Sequence, residues 1–253
     1  MAPEPVDLIV GRRPVAEALR AGVPLRRLFL AEGMRPSPVV DEIVDAAVRV
    51  GLPVSYESRS ALRRRAGAGN HQGVVAEAAP FRYRALSEIL SGAVSRLVMV
   101  EGLTDPANLG SVLRSAEAFG WQGVLVPEHR AVGITPVVRK VAAGAVERVP
   151  VARTGSPAAT VRLLQEHGFV VVGLDPGGRS DYHDTVYPER TCLVVGAEGA
   201  GLSRLVRERC DETVRIPMRG SQASINAAVA AAIVMAEASR QMDEQRPPGP
   251  TMS

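Results

Sequence analysis

From Arg96 onward, short unbroken apolar runs alternate with longer stretches in which apolar residues return every three or four positions. The runs are Leu97–Val100, Gly123–Val126, Phe169–Leu174, Cys192–Val195 and Thr213–Ile216. The helical spacing falls near 108–119, 136–147, 157–167, 201–210 and 222–241. Strands apolar on both faces need cover on both faces, so the alternation predicts an α/β domain with a mostly parallel sheet over 96–242. A smaller α/β unit is expected over 1–78, with strands at Arg26–Ala31 and Gly73–Ala76. Its helices are expected at Pro14–Ala21 and Pro38–Val50, each ended by a glycine, Gly22 and Gly51. Pro80–Arg84 breaks the pattern, and 79–95 reads as a linker. The segment 243–253 holds three prolines and no apolar run, and is expected to be a disordered tail.

Composition narrows the classes. The chain has 253 residues, 46% hydrophobic and 23% charged, as in ordinary soluble proteins. No apolar run approaches the roughly 20 residues that cross a bilayer. The first residues include Glu4 and Asp7 and lack a basic-then-apolar export signal. Cys192 and Cys210 are too few and too far apart for a disulfide framework or a metal site, so a cytoplasmic protein without a metal is expected. The net charge of +3 is compatible with an anionic partner. Of the 30 basic residues only Lys140 is a lysine. That bias fits either Arg-favouring codons or bidentate contacts to phosphates and stacking on bases.

Three loops carry the candidate chemistry, each between a strand-like run and a helical one, where α/β sheets bind ligands. The first is Asp105-Pro-Ala-Asn-Leu-Gly110 running on to Arg114. Asn108 lies near a helix start, where it can cap backbone amides. Arg114 sits among Val112, Leu113, Ala116 and Phe119, so its guanidinium is expected to need a phosphate or ribose oxygen. The second is Gly196-Ala-Glu-Gly-Ala-Gly-Leu202, whose glycine spacing is neither G-x-G-x-x-G nor a phosphate loop. It would let backbone approach a ligand closely, with Glu198 as its only charge. The third is Ile216-Pro-Met-Arg-Gly220 running on to Ser224-Ile-Asn226 and an alanine-rich helix. Ser221 or Ser224 is expected to cap that helix, with Asn226 one turn in. The stretch 227–238 is apolar all round, which predicts burial in the domain or against a second copy.

In order and spacing these loops resemble the SpoU (TrmH) family of RNA ribose 2′-O-methyltransferases, of the SPOUT class. The motifs N-x-G-x-x-x-R, G-x-E-G-x-G-L and I-P-M-x-G-x-x-x-S-L-N match Asn108–Arg114, Gly196–Leu202 and Ile216–Asn226, with Ile225 for Leu. Lys140–Ala145 also looks like a family segment, with Ala143 where Ser is usual. Gly11–Val15 and Asn70–Val74 are similar to the small ribosomal-protein-like domain that binds RNA in many members. Beside such a domain, Arg63-Arg-Arg65 reads equally as a solvated helix face or a binding patch.

The resemblance implies a parallel sheet with a C-terminal trefoil knot whose crossing loops hold S-adenosylmethionine. Gly196, Ile216, Ile225, Leu174, Met218 and Gly201 would contact the cofactor. Asn108, Arg114, Glu198, Ser224 and Asn226 would surround a ribose 2′-oxygen attacking the methyl group. Arg114 would anchor rather than take the proton, since arginine stays protonated to above about pH 12. The implied partners are RNA, most like large-subunit (23S) ribosomal RNA, and a second copy in a homodimer, with no membrane. Transfer RNA, or an RNA-binding protein without catalysis, are the alternatives.

Overall fold

The computed structural model describes residues 7–244, except 21, 36, 68, 69, 222 and 223. By their contacts the residues group into two units, one of 1–82 with 134–144, the other of 83–133 with 145–253.

In the first unit the order is β1 (Asp7–Val10), α1 (Arg12–Arg20), β2 (Leu25–Ala31), α2 (Pro38–Arg49), β3 (Val54–Glu57), α3 (Arg59–Ala66) and β4 (Val74–Ala78). Among the described residues these strands form one sheet, β1-β4-β2-β3, antiparallel except for β2 with β3. Leu28, Leu30, Val74 and Ala76 face Val15, Ala16 and Ile43 of α1 and α2 in one core. On the other face Phe29, Ala31 and Val75 close over Leu62 of α3. The Arg63–Arg65 run divides within that helix. The Arg65 guanidinium lies 3.7 Å over the Phe29 ring and pairs with Glu57 and Glu77 at 2.8 and 2.9 Å, while Arg63 and Arg64 point to solvent. Arg65 is thus a structural part of the sheet face.

The second sequence stretch continues with α4 (Leu86–Ser91), β5 (Arg96–Val100), α5 (Pro106–Ala118), β6 (Val124–Pro127), α6 (Pro136–Ala142) and α7 (Ala145–Arg148). Then come β7 (Val151–Thr154), α8 (Pro157–Glu166), β8 (Val170–Leu174), β9 (Ser180–Asp181), β10 (Thr191–Val195), α9 (Arg204–Arg209), β11 (Glu212–Arg215) and α10 (Ala227–Glu244). Among the described residues seven strands form one parallel sheet, β7-β6-β5-β10-β8-β11-β9. The central strands β5, β8 and β10 are buried almost throughout, as their unbroken apolar sequences require. The chain runs from β5 outward to β7, then returns to the far side, and β10 is inserted between β5 and β8. The sheet therefore has its switch point at β5 and β10, where carboxyl-end loops diverge and leave a crevice.

Several expectations change. The stretch 79–95 is not a plain connector: it contains α4, and Arg84 bridges to Ala152. The single helix expected over 136–147 is two, because Ala143 (φ 50°) and Gly144 (φ 87°) turn left-handed, and α6 groups with the first unit. The last helix starts at Ala227, not 222, and runs to Glu244. Of the tail expected over 243–253, residues 243 and 244 are thus helical, and 245–253 lie outside the described residues. Helix α10 is apolar all round only in composition. Ala228, Ala231, Val234, Met235 and Ala238 are buried, while Val229 is 52% exposed. Its buried side packs on α5, and in the turn just past α5 Trp121 Nε1 donates to Met235 O at 3.3 Å and Ser239 Oγ at 3.2 Å. No helix among the described residues is long and apolar enough to cross a membrane.

Candidate active site

The loops that follow β8, β10 and β11 enclose a pocket at the carboxyl edge of the sheet. The space between them, open solvent at the mouth included, is about 570 Å³. All six residues expected at the cofactor line it: Leu174, Gly196, Gly201, Ile216, Met218 and Ile225. Glu198 and Ser224 line it as well. The lining is largely apolar side chain and loop backbone, a surface that suits a flat heterocycle held by main-chain polar groups.

The β10 loop is folded back on itself. Ala197 and Gly201 exchange two backbone hydrogen bonds, of 3.0 Å from Ala197 N and 2.9 Å from Gly201 N. That narrow turn presses Gly196 against Gly201, and a Cβ on Gly196 would stand 2.2 Å from the Gly201 carbonyl carbon. Glycine is required there by backbone on backbone.

Asp175, which the sequence reading passed over, ties this turn to the β8 loop. Its carboxylate is buried and accepts hydrogen bonds from Gly177 N at 2.9 Å and Leu202 N at 3.3 Å. Arg207 Nε lies 3.5 Å from the same group. Asp before Pro-Gly at a strand end was the available signal, since such an Asp commonly bonds backbone two residues on.

Three of the polar residues expected around the substrate meet at the pocket mouth. Asn226 Nδ2 donates to Asn108 Oδ1 at 2.8 Å and to Glu198 Oε1 at 3.0 Å. Asn108 Nδ2 donates to Glu198 Oε2 at 3.3 Å. Both carboxylate oxygens are thus held by amides, one from the first turn of α5 and one from the residue before α10. The direction of each amide is fixed by its neighbours. Asn226 Oδ1 accepts from Ala228 N at 2.9 Å and Val229 N at 3.2 Å, so its Nδ2 must face the cluster. Asn226 is therefore the N-cap of α10, and neither Ser221 nor Ser224 is. At α5 the cap is likewise another residue than expected: Asp105 accepts from Ala107 N at 2.9 Å, which frees Asn108 to reach across the sheet edge. Asn108 is 6% exposed, while Glu198 and Asn226 open to solvent. The arrangement presents a carboxylate braced from behind and accessible in front.

Arg114 is not part of this cluster. It lies on the exposed side of α5 and has no hydrogen bond or ion pair among the described residues. Its apolar neighbours in sequence, Val112 and Leu113, turn into the core on the opposite side of the helix. The expectation of a guanidinium held in an apolar setting is therefore corrected: α5 has a wet stripe, and Arg114 is on it.

The comparisons agree on a family. Residues 95–236 match the model of the SpoU rRNA Methylase family, and residues 8–84 match that for RNA 2′-O ribose methyltransferase substrate binding. A Mycobacterium avium protein called an uncharacterized tRNA/rRNA methyltransferase is 41% identical over 242 residues, covering 94% of this chain and 78% of that protein. A Mycobacterium tuberculosis protein of the same description is 39% identical over 246 residues, covering 96% of this chain and 76% of the relative. Among solved structures, the SpoU methyltransferase AviRb from Streptomyces viridochromogenes, in complex with AdoMet, superposes with a TM-score of 0.69 at 30% identity. That match covers 95% of this chain and 92% of AviRb. With two matching family models on the two parts of the sequence, and relatives that align over nearly all of it, the chain belongs to the SpoU methylase family of RNA methyltransferases.

Proposed function

We propose that this protein methylates a ribose 2′-oxygen of large-subunit (23S) ribosomal RNA, with S-adenosylmethionine as donor. The observation that carries the reading is the Asn108–Glu198–Asn226 cluster at the mouth of a pocket lined by Gly196, Ile216 and Ile225. The pocket fits the cofactor: its apolar walls and exposed loop backbone suit an adenosine, and Met218 and Ile225 line the same space. When bound, S-adenosylmethionine supplies an electrophilic methyl group on a sulfonium. Leu174, Gly196, Gly201, Ile216, Met218 and Ile225 would hold it, and no metal is needed.

Glu198 offers its free lone pairs to the ribose 2′-hydroxyl, accepting its hydrogen bond and aiming the oxygen into the pocket. Asn108 and Asn226 keep the carboxylate from turning away, and Ser224 borders the same entrance. Arg114 anchors RNA backbone outside the cluster. Arg114→Ala is expected to remove most methylation while leaving cofactor affinity within about twofold, because Arg114 is exposed and makes no hydrogen bond or ion pair among the described residues that the fold would lose. A parallel loss of cofactor binding by calorimetry would assign Arg114 a structural role instead.

Residues 96–242 are read as the methyltransferase domain, with a trefoil knot. The insertion of β10 between β5 and β8, and the bonds of Asp175, Arg179 and Tyr182 to β11, support that threading. Residues 1–78 are read as the accessory RNA-binding domain, supported by the substrate-binding model over 8–84. The protein acts as a homodimer; the partly exposed apolar side of α10, with Val229, supports it, and a monomer mass by light scattering overturns it.

The deciding experiment is methylation of total bacterial RNA with labelled S-adenosylmethionine, followed by mapping of the modified nucleotide. Label on a 23S ribose supports the reading. Label on transfer RNA moves the substrate, a choice the relatives' description as tRNA/rRNA methyltransferases keeps open. No label and no cofactor binding replaces the enzyme by a non-catalytic RNA-binding protein.

A further inference from the structure

We propose that the loop Glu128–Gly133, after β6, is a preformed grip for RNA phosphates about three nucleotides from the reacting ribose, with Arg130 and His129 as its contacts. This rests on the RNA methyltransferase reading and extends it to a surface that none of the three motifs includes. All strands of the sheet are parallel, so every loop after a strand lies on the same carboxyl edge. The cofactor pocket takes the loops after β8, β10 and β11, and the Asn108–Glu198–Asn226 cluster joins the ends of β5 and β10. The next loop outward is that of β6, two strand spacings from β10, or about 10 Å. At roughly 3.4 Å per stacked nucleotide that is about three nucleotides along a strand leaving the cluster.

The loop is held in one shape. Glu128 N donates to Thr154 O at 2.8 Å on one side, and Val132 N to Leu103 O at 2.9 Å on the other. Beneath it Arg153 donates to Pro127 O at 2.6 Å and lies 4.8 Å over the Tyr83 ring. The same pair fills the space at Gly133, where a Cβ would stand 2.5 Å from Arg153 Nη2 and 2.9 Å from the Tyr83 hydroxyl. Arg153 is thus used up in support. Arg130 is the opposite case: exposed, without a hydrogen bond or ion pair among the described residues, and fixed at φ 58°. A left-handed conformation at a residue with a Cβ costs roughly 1 kcal/mol and persists where surrounding structure imposes it. Here it projects a cation from a rigid rim. His129 is exposed beside it; of the acidic groups on this edge, Glu101 accepts from Ser203 N at 3.0 Å, Asp175 holds the β10 turn, Glu198 is braced by the two amides, and Glu128 and Asp105 stand next to the loop. Asp105 is engaged as the α5 cap.

The test uses the full chain with a fluorescein-labelled single-stranded oligoribonucleotide, followed by anisotropy over a series of salt concentrations. For Arg130→Gln, affinity at low salt should fall up to about fivefold. The slope of log affinity against log salt should become shallower by about 0.7, the value of one phosphate contact on a single strand. Arg130→Lys, which keeps the charge, should restore the slope. Cofactor affinity by calorimetry should not move in either variant. If the wild type binds the oligonucleotide and Arg130→Gln matches it in affinity and slope, the grip is wrong and the methyltransferase reading stands. If the wild type binds S-adenosylmethionine but not the oligonucleotide, the grip is likewise overturned. If the wild type binds neither, both readings fall together.

Discussion

Gly196→Ala is expected to abolish S-adenosylmethionine binding while the chain still folds. The added methyl would stand 2.2 Å from the Gly201 carbonyl carbon, 2.3 Å from its oxygen and 2.6 Å from Leu202 N. An extra methyl in a packed interior typically costs about 1–3 kcal/mol, and is relieved when a side chain can turn aside. These neighbours are all backbone, and the two Ala197–Gly201 hydrogen bonds hold them in place. The strain must therefore open the turn that forms the pocket wall. Calorimetry should show cofactor affinity down at least about a hundredfold, equivalent to about 2.7 kcal/mol. Gly220→Ala is the control, since nothing lies within 4 Å of its would-be Cβ. Equal cofactor affinity in Gly196→Ala and the wild type would sink the assignment of this turn as the cofactor wall.

Asn226→Ala is expected to have the second-largest effect, on turnover rather than on binding. Two consequences separate. The cap of α10 is lost, at about 1 kcal/mol of stability. The brace on Glu198 and Asn108 is lost as well, leaving the carboxylate free to rotate and a 6%-exposed Asn108 without its donor. Misplacing an orienting group commonly costs about a hundredfold in rate. The rate of methylation should fall by about that factor, with cofactor affinity nearly unchanged. Asn226→Asp discriminates between the two consequences: it keeps the capping oxygen but replaces the amide donor by an acceptor facing Glu198. If Asn226→Asp methylates like the wild type, the amide brace is not needed and only the cap matters.

How much of this was legible in the sequence depends on whether a feature is set locally. The unbroken apolar runs such as Leu97–Val100 and Cys192–Val195 read as buried parallel strands because they are Val-rich, only four residues long and alternate with helical spacing, and the two pair in register. The glycines and apolar residues of the two later motifs gather at one pocket for the same reason: each sits at the end of a strand in a parallel sheet. Caps were misread because several candidates stand close together. Asn226, expected one turn inside the alanine-rich helix, is in fact the residue that starts it. Arg114 was misread because apolar neighbours in sequence occupy another side of a helix. Asp175 was missed because its partners Leu202 and Arg207 are some thirty residues downstream, a pairing that only the folded chain reveals. The left-handed turn at Ala143 splits a stretch whose apolar spacing alone reads as one helix.

Trp121 is the only tryptophan in the chain and is 2% exposed, with its ring nitrogen bonded to Met235 and Ser239 of α10. The helix it holds is the one that Asn226 starts, so the indole and the Asn108–Glu198–Asn226 cluster are fastened to the same helix. The emission of this one indole therefore reports, without a label, whether the helix that positions Asn226 is docked.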